Sequence, residues 1–323
     1  MKRIAVLTSG GDAPGMNACI RSVVRYGQAS GAEVYGIKRG YSGLIENDII
    51  RLDSRDVSGI IRHGGTILFS ARSKEFRTEE GQAKALDILA GWGIEGLVVI
   101  GGDGSLRGAK ALCEKGFPVV GVPASIDNDI YGTEMSIGVD TALDTILDAI
   151  DKIKDTATAH QRTFVIEVMG REHGYLALMG GIAGGAELVC LPNMSISKED
   201  VAKEVKSAFL KGKPHFIIIA AEGASTPERG ITDILCEYVF AAGFEPRATV
   251  LGHVQRGGSP TCFDRILGTR FGAAAVDALN SGTFGVMTAL KATEIVTIGL
   301  DEVLNGKVEL NKQTLRLADP LAH

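Results

Sequence analysis

The sequence predicts an α/β protein of two lobes, each a mostly parallel sheet flanked by helices, with an active site in the cleft between them. Three observations carry this expectation. Short β-branched apolar runs alternate with amphipathic stretches from one end of the chain nearly to the other, the pattern of strand–helix–strand crossovers. Glycine supplies 42 of 323 residues, about twice the usual share of roughly 7%. It shows neither the period of collagen nor the serine bias of a linker, so tight strand–helix turns absorb it. The plan strand, glycine-rich turn, helix returns after Val168 as MGREHG, and the length suffices for two domains.

Taken in order, strands are expected at 4–7, 34–37, 97–100, 119–122, 164–168, 188–191, 216–220 and 249–251. Amphipathic helices are expected at 15–30, 81–91, 140–156 and 198–211, the last opened by a capping box of Ser197 and Asp200. LGHVQRGG at 251–258 reads as strand and then basic glycine loop, returning the chain to the first lobe. The last forty residues read as short strands and a final helix. A larger lobe of 1–138 with 252–305 and a smaller one of 139–251 with 306–323 follow.

Composition excludes several classes of function. A net charge of −5 argues against a nucleic-acid-binding surface. Cys19, Cys113, Cys190, Cys236 and Cys262 are odd in number, scattered and free of CxxC pairs, so they predict reduced thiols rather than a zinc site or disulfide framework. The chain enters its first strand without a basic leader, and no apolar run reaches membrane-spanning length. A cytoplasmic protein is expected, with no membrane partner.

The stretch GLVVIGGDGSLRG at 96–108 is the most informative. A buried strand empties into two glycines and an acid, and glycine lets the backbone approach a phosphate and cradle it with N–H groups. Asp103 repels phosphate by itself, so a divalent cation between them is implied; the bland alternative is a helix N-cap. GVPASIDNDI at 121–130 repeats the plan and delivers Asp127 and Asp129 beside Ser125. A plain Asx turn is the alternative, but a buried strand rarely ends in paired acids without a protic or cationic partner. Asp127 would take a proton from a hydroxyl nucleophile, with Asp129 and Asp103 near the metal. LTSGGDAPGMN at 7–17 offers Gly11 as a backbone contact to phosphate, although a Gly-Gly turn is also common punctuation, and no GKS or GKT follows. Arg72, Arg162, Arg171, Arg247, His253 and Arg256 each fall at a strand end. One such arginine is ordinarily solvated, whereas several suggest a polyanionic ligand gripped by forked guanidinium groups. Glu222 suits sugar hydroxyls or a helix cap.

Together SGGDAPGMN, GGDGS, PASIDNDI, VMGR, AEG and LGHVQRGGSP resemble, in order and over essentially the whole chain, the bacterial ATP-dependent 6-phosphofructokinase family. The resemblance implies two Rossmann-like lobes and transfer of the ATP γ-phosphoryl group to the 1-hydroxyl of fructose 6-phosphate, a step of glycolysis. It implies Asp127 as general base, Mg²⁺ held by Asp103 with Asp129 close by, and Gly11, Arg72, Ser73, Gly102, Asp103, Gly104 and Ser105 around ATP. Gly11 and Arg72 would stabilise the transferring group. Ser125, Ile126, Asp127, Met169, Gly170, Arg171, Glu222, His253, Val254, Gln255 and Arg256 would meet the sugar phosphate. Arg162 and Arg247 would reach it from a neighbouring subunit, making the enzyme a homo-oligomer, typically a tetramer.

An effector site for ADP and phosphoenolpyruvate is also implied. It would use Arg21, Ser22, Val23, Val24, Arg25, Lys154, Gly185, Ala186, Glu187, Lys211, Lys213, Pro214 and His215; the bland reading of KGKPH is a charged loop after a helix. Three departures stand out. Lys154 replaces an arginine, Ser54 a further arginine (with Arg55 adjoining), and Ala124–Ser125 the usual Gly-Thr. Pyrophosphate-using relatives carry Asp where this chain has Gly104 and Lys where it has Ala124, so ATP is the expected donor. A pyrophosphate-dependent enzyme and a catalytically silent nucleotide-sensing subunit are the alternatives; the presence of Asp103 and Asp127 speaks against the second.

Overall fold

Six consecutive buried residues follow Arg3 in β1 (Arg3–Ser9), which therefore lies inside a sheet and not at its edge. The computed structural model describes residues 1–192, 194 and 196–321. The elements after β1 are α1 (Met16–Ala29), β2 (Glu33–Ile37), α2 (Gly40–Ile45), β3 (Ile49–Leu52), α3 (Glu79–Gly91), β4 (Gly96–Gly101), α4 (Asp103–Glu114), β5 (Val119–Pro123) and α5 (Val139–His160). Next come β6 (Thr163–Val168), α6 (Tyr175–Ala183), β7 (Leu188–Cys190), α7 (Lys198–Leu210), β8 (Phe216–Ala221), α8 (Ile231–Ala241) and β9 (Pro246–Val250). The remaining elements are α9 (Cys262–Ser281), β10 (Val286–Lys291), β11 (Glu294–Gly299), α10 (Leu300–Asn305) and α11 (Lys312–Leu321). Two compact units result: Met1–Thr141 with Arg256–Lys307, and Ala142–Gln255 with the chain from 308 onward.

In the first unit seven strands run in the order β11-β10-β5-β4-β1-β2-β3. Only the edge strands β3 and β11 are antiparallel to their neighbours. Successive strands go from β1 outward to β2 and β3, then resume on the other side at β4, so the strand order reverses between β1 and β4. Ligands of open α/β sheets bind at such a reversal, beyond the carboxyl ends of the strands. The register makes that edge level: Ser9 is opposite Gly101, and Gly101 is opposite Pro123. One face packs Leu7, Ile37, Leu97, Val99, Val119 and Met287 into a core with Leu89, Leu106 and Leu112 of the helices.

The second unit has four parallel strands in the order β7-β8-β6-β9. Phe216, Ile218 and Val165 form its core with Val201 and Val205 of α7 and Leu235 and Val239 of α8. The expected capping box is present: Ser197 Oγ accepts from Asp200 N at 3.1 Å, and Asp200 accepts from Ser197 N. Such a cap contributes about 1 kcal/mol.

The α/β class with mostly parallel sheets agrees with the sequence. The sequence reading passed over β3, whose half-exposed IIRL lacks the continuous apolar signature of an inner strand. β9 begins at Pro246 and not 249, and residues 252–256 form a 3₁₀ turn rather than the start of a plain loop. Residues 252–255, expected in the first lobe, fall in the second unit. Gln255 explains this, because its side chain accepts from Met169 N at 3.2 Å and donates to Gly252 O at 2.9 Å, fastening the turn to the end of β6.

Candidate functional site

The level ends of β1, β4 and β5 open onto a pocket of about 560 Å³, within the range of roughly 300–1,000 Å³ usual for small-molecule sites. Each strand supplies one wall. After β1, Gly10 takes φ +87° and leads to Gly11, where an added Cβ would stand 2.5 Å from Arg256 Nη1. Glycine at 11 therefore admits the Arg256 guanidinium against the backbone. Arg256, which also donates to Asp12 O at 3.4 Å, sits on this pocket's wall.

After β4 comes Gly102, the side-chain-free N-cap of α4, and then Asp103 as the first helical residue. No side chain caps this helix, which leaves its positive end to attract anions. Asp103 is not an N-cap: its Oδ2 accepts from Arg107 Nε at 3.0 Å one turn on, in an exposed pair. Gly104 has nothing within 4 Å of where its Cβ would be. Ser105 is buried, and its hydroxyl donates to Ser9 O at 2.8 Å, so it binds α4 to β1 and faces the pocket without a free hydroxyl.

Arg72 and Ser73 come from the chain between β3 and α3. Asn17 organises that passage by donating to His63 O and Gly64 O and accepting from Ile67 N. Ser70 then donates to Gly10 O at 2.5 Å, and Ser73 Oγ accepts from Phe76 N. Arg72 is exposed between these two anchors and lines the pocket.

The segment after β5 is a closed loop. Ala124 bridges Ile137 at its neck, and Asn128, in the left-handed region at φ +49°, holds Ser136 N and Glu134 O with its side chain. Ser125 Oγ donates to Asp129 Oδ1 at 2.8 Å and accepts from Asp127 N at 3.3 Å. Asp127 and Ser125 line the pocket; Asp129 does not, and Ile126 is buried. Among the described residues no three His, Cys, Asp or Glu side chains converge as a metal-binding group. The three acids thus form no protein cage for a cation. This donor set fits Mg²⁺, which commonly takes one or two carboxylates plus phosphate oxygens and water, with Asp103 and Asp127 as the carboxylates on the pocket wall.

A further wall was not legible in the motifs. Tyr41 and Phe76 stack with ring centroids 4.0 Å apart, beside Arg77, Gln82, Arg107 and Gly108. Burial holds the Tyr41 phenol well above its usual pKa, and its hydroxyl donates to Ser105 O at 2.7 Å. An added Cβ at Gly108 would stand 2.6 Å from that ring. These residues are dispersed and lie outside the glycine motifs; the only sequence signal was a Gly-Tyr after β2.

The second unit gathers several of the other expected residues at its own carboxyl edge, whereas Arg162 and Arg247 lie at the opposite, amino edge, just before β6 and at the start of β9. Met169, Gly170 (φ +126°) and Arg171 follow β6, Glu222 follows β8, and His253 to Gln255 follow β9. Arg171 Nε donates to Glu222 Oε1 at 3.1 Å. His253 and Val254 are exposed, whereas Gln255 is buried and committed to the turn described above. Glu167, beneath them, has its carboxyl raised by burial first and then by the charge of Glu222. Arg162 and Arg247 share one carboxylate, donating to Glu245 Oε2 at 3.2 Å and Oε1 at 2.5 Å.

Part of the expected effector set comes together at the amino edge of this sheet, ahead of β7 and β8. Lys154 Nζ donates to Gly185 O at 3.1 Å, Lys213 pairs with buried Glu187 at 3.3 Å, and Glu187 accepts from Ile217 N. His215 Nδ1 lies 2.9 Å from Thr158 Oγ1, and burial lowers its pKa. Lys211 and Pro214 are exposed, and Ala186 is buried. In the first unit, Arg25 donates to Ser54 O at 3.3 Å, while Arg21 is half-buried. Ser22, Val23 and Val24 are buried on α1.

A glycine-walled pocket at the reversal of strand order, with arginines and two carboxylates on its walls, is the arrangement of an α/β protein built for a phosphorylated ligand. The Phosphofructokinase family model matches residues 3–279. The chain is 52% identical over 323 residues to a protein of Thermus thermophilus named ATP-dependent 6-phosphofructokinase 1, covering all of both chains. It also superposes on phosphofructokinase from Saccharomyces cerevisiae with a TM-score of 0.88 and 35% identity, spanning all of this chain and 48% of the yeast chain. A pyrophosphate-dependent phosphofructokinase from Marinobacter aquaeolei shares the fold at TM-score 0.88 and 21% identity, over all of this chain and 92% of that one. The chain belongs to the phosphofructokinase family.

Proposed function

We propose that the protein is a 6-phosphofructokinase that transfers the γ-phosphoryl group of ATP to the 1-hydroxyl of fructose 6-phosphate. The observation that carries this reading is the level row of strand ends, where the glycine loop after β1, the uncapped start of α4 and the Asp127 loop face one pocket.

Each residue then has a task. The Tyr41–Phe76 wall takes the nucleobase, and Gly11, Gly102 and Gly104 let the backbone close on the phosphates. Arg72 and the Gly11 N–H meet the charge of the transferring group, the kind of positioning and electrostatics on which phosphoryl transfer depends. Mg²⁺, when bound through Asp103, neutralises phosphate charge. Asp127 accepts the proton of the attacking hydroxyl. Arg171, Glu222 and His253 hold the sugar phosphate, with Arg162 and Arg247 acting on a neighbouring copy in a homotetramer. Ser125 keeps the hydroxyl of the family threonine, used here to fix the turn at Asp127. We place the enzyme in cytoplasmic glycolysis; among the described residues no helix is long and apolar enough to cross a membrane.

Lys154, Glu187, Lys213 and His215, with Arg21 and Arg25, are proposed to bind the phosphorylated effectors ADP and phosphoenolpyruvate. Lys154 offers a single point charge where an arginine would offer a fork, so a weaker effector response is expected.

The primary test measures fructose 1,6-bisphosphate formation from fructose 6-phosphate and Mg²⁺ with ATP or with pyrophosphate. Turnover with ATP alone is expected. Turnover with pyrophosphate alone would overturn the donor assignment, and none with either would favour a silent subunit.

A second test separates the two substrates. Gly223 N donates to Gly170 O at 3.1 Å, and an added Cβ at Gly223 would collide with the backbone carbonyl of Arg171. Gly223→Ala must displace the Arg171 turn. The KM for fructose 6-phosphate is expected to rise about tenfold or more, with the KM for ATP unchanged. Parallel changes in both constants would argue against a sugar-phosphate role for this turn.

A further inference from the structure

We infer that Asp264 is a positioning residue for the Asp127 loop, an inference that rests on the reading of Asp127 as the base. Asp264 lies in the first turn of α9, is fully buried, and does not line the pocket. Its Oδ1 accepts from Gly138 N at 2.8 Å, and its Oδ2 accepts from Thr141 N at 2.8 Å and Thr141 Oγ1 at 2.5 Å. Gly138 and Thr141 are at the start of α5, where backbone donors lack intrahelical partners. Gly138 has no side chain to satisfy them, so a carboxylate 126 residues away performs the capping.

That cap sits where the Asp127 loop leaves its neck. Ile137 N donates to Pro123 O, and Gly138 follows immediately with φ +102°. The other flank is equally close: an added Cβ at Gly15 would stand 2.8 Å from Ile137 Cγ2 and 3.1 Å from Asp264 O, and one at Gly138 2.7 Å from Ala13 Cβ. Asp264 therefore ties the exit of the Asp127 loop and the start of α5 to α9, with the β1–α1 turn packed closely against them. Thr261 closes the arrangement, accepting from Asp264 N, donating its N–H to Thr141 Oγ1 and its hydroxyl to Asp140. A loop pinned at both the neck and its exit keeps Asp127 at one position relative to Gly11, and catalytic geometry of this kind is sensitive to shifts of about 1 Å.

The test uses Asp264→Asn and the milder Thr141→Val, which removes one of the three hydrogen bonds to Asp264 together with the one from Thr261 N, and serves if the first fails to fold. Steady-state kinetics with ATP and fructose 6-phosphate are combined with amide hydrogen exchange on the full chain. Asp264→Asn is expected to lower kcat by about 10²-fold with the KM for ATP unchanged. Thr141→Val should act in the same direction, more weakly. Exchange across 125–136 should quicken roughly tenfold, with β1 and β4 unaffected. A purely structural cap would lower the melting temperature, leave kcat per folded enzyme intact and leave exchange at 125–136 unchanged; that result overturns the inference. Asp127→Asn run alongside keeps the two readings apart. If it retains turnover the base assignment falls, whereas the exchange at 125–136 still decides whether Asp264 pins the loop.

Discussion

Asp127→Asn is expected to reduce kcat about 10³-fold while the KM for ATP stays within a factor of about three, since general-base catalysis contributes roughly 10²–10⁴. The substitution is nearly isosteric. It leaves the backbone N–H that donates to Ser125 Oγ, so the turn should persist and the amide simply cannot accept the hydroxyl proton. Nucleotide binding should be spared, because the glycine turn after β1, the start of α4 and the Tyr41–Phe76 wall belong to other elements. Asp129 cannot replace the lost base: its carboxylate is held by Ser125 and does not line the pocket. Stopped-time product assays at saturating ATP, with a melting curve to show that the variant is folded, decide the matter. Wild-type turnover would remove Asp127 from the reaction.

How much of this was legible before the structure differs from element to element. β4 and β5 announce themselves, because a strand buried on both faces is a run of valine and isoleucine, and each ends at glycine or proline followed by polar residues. The half-exposed IIRL of β3 sends no such signal. The glycine loops and Asp127 could be read because they are contiguous with those strands. The Tyr41–Phe76 pair and the Asp264 cap could not, since each joins residues that only the strand order brings together. Asp129 shows what spacing alone leaves out. Its spacing from Asp127 suggested a metal ligand, yet Asn128 in the left-handed region turns the chain between them and Ser125 captures the second carboxylate. Similarly, the effector motif on α1 included Ser22, Val23 and Val24, which the helical period carries to the buried face.

Gly104→Asp is expected to raise the KM for ATP by about 10²–10³ while leaving the fold and the KM for fructose 6-phosphate unchanged. The fold itself does not choose the phosphoryl donor, since the pyrophosphate-dependent protein of Marinobacter aquaeolei superposes on this chain at TM-score 0.88. The choice has to come from side chains at the pocket. Gly104 is the second residue of α4, with open space where a Cβ would be, so an aspartate enters without collision. Near a helix N-terminus a carboxylate is if anything stabilising, by roughly 0.3–1 kcal/mol, so the melting temperature should not fall. The nucleotide meets a different situation. A second negative charge about 4 Å from a phosphate costs on the order of 1 kcal/mol in water and about 4 kcal/mol at the effective dielectric of a protein surface, the larger value corresponding to about 10³ in affinity. Pyrophosphate use should not appear with this change alone, because Ala124 on the pocket wall stays small and uncharged. Donor titrations with ATP and pyrophosphate on the same preparation measure both halves of the argument. An unchanged KM for ATP would mean that the phosphates do not pass the start of α4.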